Sequence, residues 1–98
     1  LSGRTHRVVT GVALSVPGAA PESAVFESEV RFRHLTTESA SAYVASGEGR
    51  DKAGSYAIQG LGAGLVREIS GSYTNVVGLP AAETLDLLLR AGVLGAWP

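Results

Sequence analysis

Two segments near the start of the chain alternate between apolar positions and small or charged ones. In Arg7–Val16, Val8 and Val12 share one face with Leu14, while the other face is small and uncharged. In Ala24–Leu35, apolar side chains face one way, and glutamate and arginine face the other. A period of two predicts β-strands, the first covered on both faces and the second open to water on one. The Pro- and Gly-containing residues between them favour a turn, so the segments predict an antiparallel hairpin.

The middle of the chain begins with a helical pattern. Hydroxyl and acidic side chains at positions 36–38 are typical of a helix start, and Tyr43 and Val44 continue an apolar stripe at helical spacing. Gly47 favours termination, because glycine readily adopts the left-handed conformation found after many helices. The sequence therefore predicts a helix over Thr37–Ser46.

The last part of the chain combines a short strand with a second helix. Gly49–Gly64 is rich in glycine and polar residues, and Leu65–Ile69 then resembles a short strand. Pro80 suits the first position of a helix running to Arg90, because its missing N–H needs no partner there. The leucines predicted to form the buried stripe of this helix are Leu85, Leu88 and Leu89. Strands mixed with helices predict an α/β or α+β class.

Composition narrows the classes of function. The 98 residues carry eight basic and nine acidic side chains, and this net charge of −1 does not suit a general nucleic-acid-binding protein. The absence of cysteine excludes disulfides and thiolate metal sites. No apolar run approaches the roughly 18–20 residues of a membrane span, so we expect no membrane partner and a cytoplasmic protein.

Two features that resemble common sites do not meet the requirements of those sites. Gly60–Gly64 lacks the spacing of a dinucleotide-binding turn, because the last glycine of G-x-G-x-x-G would fall at Leu65. His6 and His34 are predicted on separate strands, where a surface histidine is more common than a metal ligand. The residues alone therefore indicate no self-contained catalytic constellation.

The segment Gly49–Gly54 is the best candidate site that the residues themselves provide. Arg50 and Lys52 can neutralise phosphate oxygens, and Asp51 can accept hydrogen bonds or hold a hydrated Mg²⁺. The flanking glycines allow the backbone to approach a ligand closely. An exposed charged loop without a ligand is the alternative, and the residues alone favour it.

Three segments resemble the signature motifs of one family. Asp51–Gly60 reads D-K-A-G-S-Y-A-I-Q-G and resembles the D-K-A-G-x-Y-x-I-Q-G motif of the Maf family of nucleoside triphosphate pyrophosphatases. Gly71–Pro80 is similar to the family's G-S-Y-x-N-V-V-G-L-P, and Leu1–Thr10 to its L-S-G-R-x-H-x-V-x-T. The three segments span nearly the whole chain in the family's order. The resemblance implies a fold of the Maf and inosine-triphosphatase type, which is α/β in a mixed α+β form with a mixed sheet and flanking helices.

The resemblance also implies that a second half completes the domain. A Maf protein is about twice as long, and its N-terminal half carries an S-x-x-R-R motif and a G-A-D-T strand whose aspartate is the proposed general base. Neither motif is found here, and the chain starts at Leu1 and contains no methionine. We therefore expect residues 1–98 to be the C-terminal half of a single Maf-like domain. Such a chain would have the N-terminal half of the same protein as a partner and would be inactive alone.

For the residues present, the resemblance implies roles in hydrolysing a nucleoside triphosphate to the monophosphate and pyrophosphate. Lys52 would contact the substrate, and Asp51 would hold a divalent cation (Mg²⁺ or Mn²⁺) or order the loop. No residue of this chain would be the catalytic base. Gln59 implies a preference for dTTP and UTP, because an amide can pair with a pyrimidine edge that presents a carbonyl beside an N–H. A homodimer is a further family expectation.

Two interpretations of different class stay open. In the first, the parent protein is an enzyme and this chain is half of its active site. In the second, the chain belongs to a non-catalytic Maf-like module for dimerisation or regulation. Gln59 likewise has an alternative role, in which its amide pairs only with loop backbone.

Overall fold

The computed structural model describes every residue from Leu1 to Pro98. Three strands alternate irregularly with three α-helices and two 3₁₀ helices, which confirms the mixed class. In chain order the elements are β1 (Thr5–Leu14), β2 (Glu22–Phe32), α1 (Thr37–Ser46), a 3₁₀ helix (Ala53–Ser55), a second 3₁₀ helix (Gly60–Leu65), β3 (Val66–Ser70), α2 (Tyr73–Val77) and α3 (Ala81–Arg90). The longest helices have ten residues, and none combines the length and apolar character that a membrane crossing requires.

The three strands form one antiparallel sheet in the order β1-β2-β3, so the sheet within this chain is not the mixed sheet that the resemblance implies. The predicted hairpin is confirmed, with β1 and β2 in register from Thr5 opposite Arg31 to Leu14 opposite Glu22. Strand β1 begins two residues earlier than predicted and therefore includes His6. It pairs with β2 on one side only, so β1 is an edge strand.

The two faces of β1 differ in exposure. Even-numbered positions from His6 to Leu14 are half-buried, whereas odd-numbered positions are exposed, including Val9 at 56%. The prediction that both faces are covered is wrong for this chain, because the helices that contact β1 leave its odd-numbered face open. On β2 the predicted wet face is confirmed, since Glu27, Glu29 and Arg31 are exposed.

The core lies where the base of the hairpin meets the Gly-rich segment. Val30 and Phe32 from β2 are buried together with Tyr56 and Leu65. Half-buried side chains pack around these four, including Val8 on β1. Because Tyr56 and Leu65 come from the segment between α1 and β3, the core joins that segment to the sheet.

Helix α1 forms over the predicted residues for the predicted reasons. The Thr36 hydroxyl accepts a hydrogen bond from the Ser39 N–H at 3.0 Å, and Gly47 ends the helix with a φ of 76°. The apolar stripe is narrower than predicted, because Val44 is 73% exposed and Tyr43 alone packs near the core.

Helix α3 starts at Ala81, directly after Pro80, and its buried face differs from the prediction. Leu87 is only 3% exposed, whereas Leu89 lies at the surface and Leu85 and Leu88 are half-buried. Pro80 is itself buried at the start of the helix. Positions three to four residues apart share one helix face, so burial of Pro80 turns Leu87 inward, two helical turns later.

The short helix α2 was not predicted, and its Asn75 fastens it to the hairpin. The Ser72 hydroxyl accepts a hydrogen bond from the Asn75 N–H at 3.2 Å and so caps the helix. The buried Asn75 side-chain amide donates to the Val8 carbonyl at 3.2 Å and to the Ser28 hydroxyl at 3.0 Å. One side chain therefore links α2 to both β1 and β2.

We expect Asn75→Ala to lower the free energy of unfolding by about 1–3 kcal/mol, because it leaves buried polar groups without their partner. Urea denaturation measures the effect, and Ser41→Ala on the exposed face of α1 is the control. The control should stay within about 0.5 kcal/mol of the wild type. A loss for Asn75→Ala as small as that of the control would contradict the structural role assigned to the amide.

Candidate functional site

One cavity of about 400 Å³ brings the three signature segments together. Its lining residues are His6–Thr10 on β1, Asp51–Gly54 and Tyr56–Gln59 in the Gly-rich segment, and Asn75–Gly78 at the end of α2. The volume lies within the range of about 300–1,000 Å³ that is usual for small-ligand sites. Segments far apart in the sequence thus meet at one concave surface.

The three candidate residues Asp51, Lys52 and Gln59 all line this cavity. Each is exposed, and none of their side chains takes part in a hydrogen bond or ion pair within the chain. Their polar atoms are therefore free to bind a ligand. Arg50, in contrast, is exposed outside the cavity lining, so the structure does not place it at the site.

The backbone that carries Asp51 and Lys52 is tightly folded. Asp51 and Ser55 have φ values of 67° and 62°, a left-handed conformation that residues with a Cβ rarely adopt. A Cβ on Gly49 would overlap the Ser55 carbonyl, so the two ends of this loop touch through their backbones. Unfavourable conformations of this kind are maintained by surrounding contacts and occur preferentially at functional sites.

Tyr56 fastens the end of this loop to the core. Its ring packs edge-to-face on Phe32, with ring centres 4.8 Å apart, and its hydroxyl pairs with His6 Nε2 at 2.7 Å. Burial raises the pKa of the Tyr56 hydroxyl and lowers the pKa of the His6 imidazole. Both shifts favour the neutral forms of the two paired groups.

The prediction that His6 is a strand-surface histidine is wrong. His6 is half-buried between Tyr56 and Phe32 and also lines the cavity. The alternation of β1 contained the signal, because extending it by two residues places His6 on the same face as Val8. His34 is exposed just beyond the end of β2, so it remains a surface histidine.

Tyr43 and Glu48, which the sequence did not single out for the site, fix the backbone around Gln59. Glu48 Oε1 accepts hydrogen bonds from the Tyr43 hydroxyl and the Gly62 N–H, both at 2.8 Å. Glu48 Oε2 accepts one from the Leu61 N–H at 2.9 Å. The Tyr43 hydroxyl also accepts one from the Ala57 N–H at 3.0 Å. We refer to these two side chains as the Tyr43–Glu48 pair.

Hydrogen bonding and burial reinforce the ordinary charge states of this pair. The Tyr43 hydroxyl, followed by the N–H groups of Gly62 and Leu61, holds the pKa of the Glu48 carboxyl below its ordinary value. Burial raises the pKa of the Tyr43 hydroxyl. Near neutral pH, Glu48 is therefore an ionised acceptor and Tyr43 a neutral donor.

The lining offers the components of a phosphate and base site but few metal ligands. Lys52 supplies a cation, Gln59 an amide, and Asp51 the only carboxylate among the lining residues. No group of three His, Asp or Glu side chains converges anywhere in the chain. A hydrated Mg²⁺ needs only one or two protein carboxylates when substrate phosphates complete its ligands, so Asp51 fits a partial site.

Comparisons with known proteins agree on one family. The chain matches the model of the family described as Maf-like protein over residues 1–91. It is 52% identical to a dTTP/UTP pyrophosphatase of Mesorhizobium japonicum, over 94% of this chain and 44% of the relative. Corresponding proteins of Agrobacterium fabrum and Rhizobium meliloti are 48% and 50% identical, over 99% and 94% of this chain and 48% and 45% of the relatives. The chain thus spans about half the length of the curated relatives it matches.

We expect NMR titration of the side-chain carboxyls to give Glu48 a pKa below the ordinary glutamate value. Tyr43→Phe should raise this pKa, because the hydrogen bond from the Tyr43 hydroxyl is the largest cause of its lowering. Since the pKa is lower in the folded than in the unfolded chain, the stabilisation is complete above the ordinary glutamate value and is lost as pH falls through the lowered one.

Tyr73→Phe is the control for this titration, because Tyr73 is an exposed tyrosine of α2 and is not a hydrogen-bond partner of Glu48. It should leave the Glu48 pKa where it is in the wild type. An ordinary pKa for Glu48, or one that Tyr43→Phe does not move, would show that the hydrogen bonds of the pair do not form in solution.

Proposed function

The chain belongs to the Maf-like protein family, and we propose that it forms the substrate-binding part of a nucleoside triphosphate pyrophosphatase that acts on dTTP and UTP. The main support is the single cavity that Lys52, Gln59 and Asp51 line together. Relatives at 48–52% identity are named dTTP/UTP pyrophosphatase, which supports the substrate class.

The proposal treats residues 1–98 as the C-terminal half of one larger domain. The relatives are about twice as long as the part that this chain matches. Hydrolysis also needs a group that activates water. The cavity lining offers no second carboxylate beside Asp51, and Nε2 of its one histidine, His6, is already paired with the Tyr56 hydroxyl. We therefore place the general base in the remaining half of the complete protein, as the resemblance implies.

In the proposed reaction, water attacks the α-phosphorus, and the bond from this atom to the oxygen that bridges to the β-phosphorus breaks. The products are the nucleoside monophosphate and pyrophosphate, and negative charge accumulates on the leaving oxygens. The Lys52 ammonium lies in the cavity without a carboxylate partner. It can stabilise that charge as a point cation.

Gln59 is the group proposed to bind the base. Its amide can donate to a ring carbonyl and accept from the neighbouring ring N–H, an arrangement that thymine and uracil share. The exposed Gln59 side chain reaches the cavity and makes no hydrogen bond within the chain, which favours this role over pairing with loop backbone.

We also propose that the reaction uses a divalent cation, Mg²⁺ or Mn²⁺. When bound with the substrate, such an ion would neutralise phosphate charge. Asp51 is the residue of this chain that would hold it, as the one carboxylate in the cavity lining. The homodimer and the cytoplasmic location stay predictions of the sequence.

In the complete protein, Lys52→Ala should lower kcat/KM for every triphosphate by a similar factor. The expected fall is about 10- to 100-fold, which corresponds to a lost hydrogen bond to a charged group. Steady-state assays of released pyrophosphate on a nucleotide panel measure it. Arg50→Ala is the matched control, because it removes a cation two positions away that lies outside the cavity lining. A fall confined to one nucleotide would contradict a phosphate-binding role for Lys52.

Gln59→Ala should instead change which bases are accepted. We expect the ratio of kcat/KM for dTTP or UTP to that for purine triphosphates to fall by at least about tenfold, because loss of base-reading hydrogen bonds discriminates strongly. Leu61→Ala truncates a neighbouring exposed side chain and is the control. If activity fell equally on all nucleotides, Gln59 would support the loop and not read the base.

A further inference from the structure

We propose that the Tyr43–Glu48 pair sets the base selectivity of the site by holding the backbone on both sides of Gln59. The inference rests on the proposed function, and it assigns the two side chains as positioning residues. Neither Tyr43 nor Glu48 is among the residues that line the cavity. Any effect of the pair on a bound nucleotide must therefore pass through the residues that it holds.

The hydrogen bonds of the pair enclose Gln59 along the chain. The Tyr43 hydroxyl accepts from the N–H of Ala57, two residues before Gln59. Glu48 accepts from the N–H groups of Leu61 and Gly62, two and three residues after it. Gln59 itself is extended and makes no hydrogen bond through its side chain. Its position is thus determined by the backbone on each side.

The backbone around Gln59 is closely packed. A Cβ on Gly62 would overlap the Ala57 carbonyl, so the chain passes directly over itself around Gln59. A Cβ on Gly60 would overlap Glu48 Oε2, and Gly60 has a φ of 68°. The carboxylate is therefore seated against the turn that follows Gln59, and a variant that lacks one of the acceptor oxygens would hold this turn less firmly.

Lys52 is held by separate contacts. Its loop is closed on itself at Gly49 and Ser55 and joined to the core through Tyr56. The Tyr43–Glu48 pair forms its hydrogen bonds on the other side of Tyr56, to residues 57–62. Loosening the pair should therefore disturb base recognition more than phosphate binding.

The test compares Glu48→Gln and Tyr43→Phe in the complete protein on a panel of pyrimidine and purine triphosphates. Glutamine has one acceptor oxygen in place of two, and phenylalanine keeps the ring but lacks the hydroxyl. Each variant should lower the ratio of kcat/KM for dTTP to that for dATP by about fivefold or more, because the base-reading amide is displaced. Activity on the purine substrate should change less.

A double variant separates positioning from general loosening of the loop. If the pair acts through Gln59, adding Glu48→Gln to Gln59→Ala should lower the dTTP to dATP ratio no further, because coupled residues are not additive. Two controls remove like groups elsewhere: Glu68→Gln on the exposed face of β3 and Tyr73→Phe on α2. Both should keep the wild-type ratio.

The outcomes separate this inference from the proposed function. A wild-type ratio in both variants, or an equal fall on every nucleotide, overturns the inference and leaves the proposed function intact. A complete wild-type protein that hydrolyses no triphosphate overturns both. If Glu48→Gln fails to fold, Tyr43→Phe decides the matter, since it retains the packing of the ring.

Discussion

The contact of Tyr56 with Phe32 and His6 joins the Gly-rich segment to the sheet. Few other side chains of this segment are buried, and glycine contributes no side chain to a core. The edge-to-face packing of Tyr56 on Phe32 and the 2.7 Å hydrogen bond to His6 therefore fix the segment relative to β1 and β2. The cavity lies between this segment, β1 and α2, so it depends on the contacts of Tyr56 that hold the segment in place.

The site contains two kinds of residue, those proposed to bind the nucleotide and those that position them. The side chains proposed to bind the nucleotide make no hydrogen bonds within the chain. Their backbones are fixed by Tyr56, the Tyr43–Glu48 pair and close glycine contacts. Asn75 fastens α2, which also lines the cavity, to the hairpin. A rigid backbone with free polar groups is the arrangement that preorganised binding requires, since little order remains to be imposed when the ligand enters.

Local patterns in the sequence were sufficient for much of the fold. The hairpin, α1 and the start of α3 follow from alternation, capping residues and Pro80, all of which act within a few positions of the chain. The buried face of α3, the helix α2 and the role of His6 depend on contacts across the fold, which periodicity does not contain. The role of Gln59 in base recognition follows from the family resemblance and not from spacing. The residues alone favour an exposed charged loop around Lys52. The contacts of Tyr43 and Glu48 around Gln59 depend on the turn at Gly62, which no local pattern of the sequence specifies.

The open edge and open face of β1 have a consequence for the behaviour of this chain in solution. An edge strand presents a row of backbone donors and acceptors that another strand can pair with. Val9, Gly11 and Ala13 lie on the exposed face without charge, and Arg7 is already paired with Glu27 at 2.9 Å. Little on β1 therefore repels a second copy, so the isolated chain is prone to edge-to-edge aggregation wherever nothing else covers this strand.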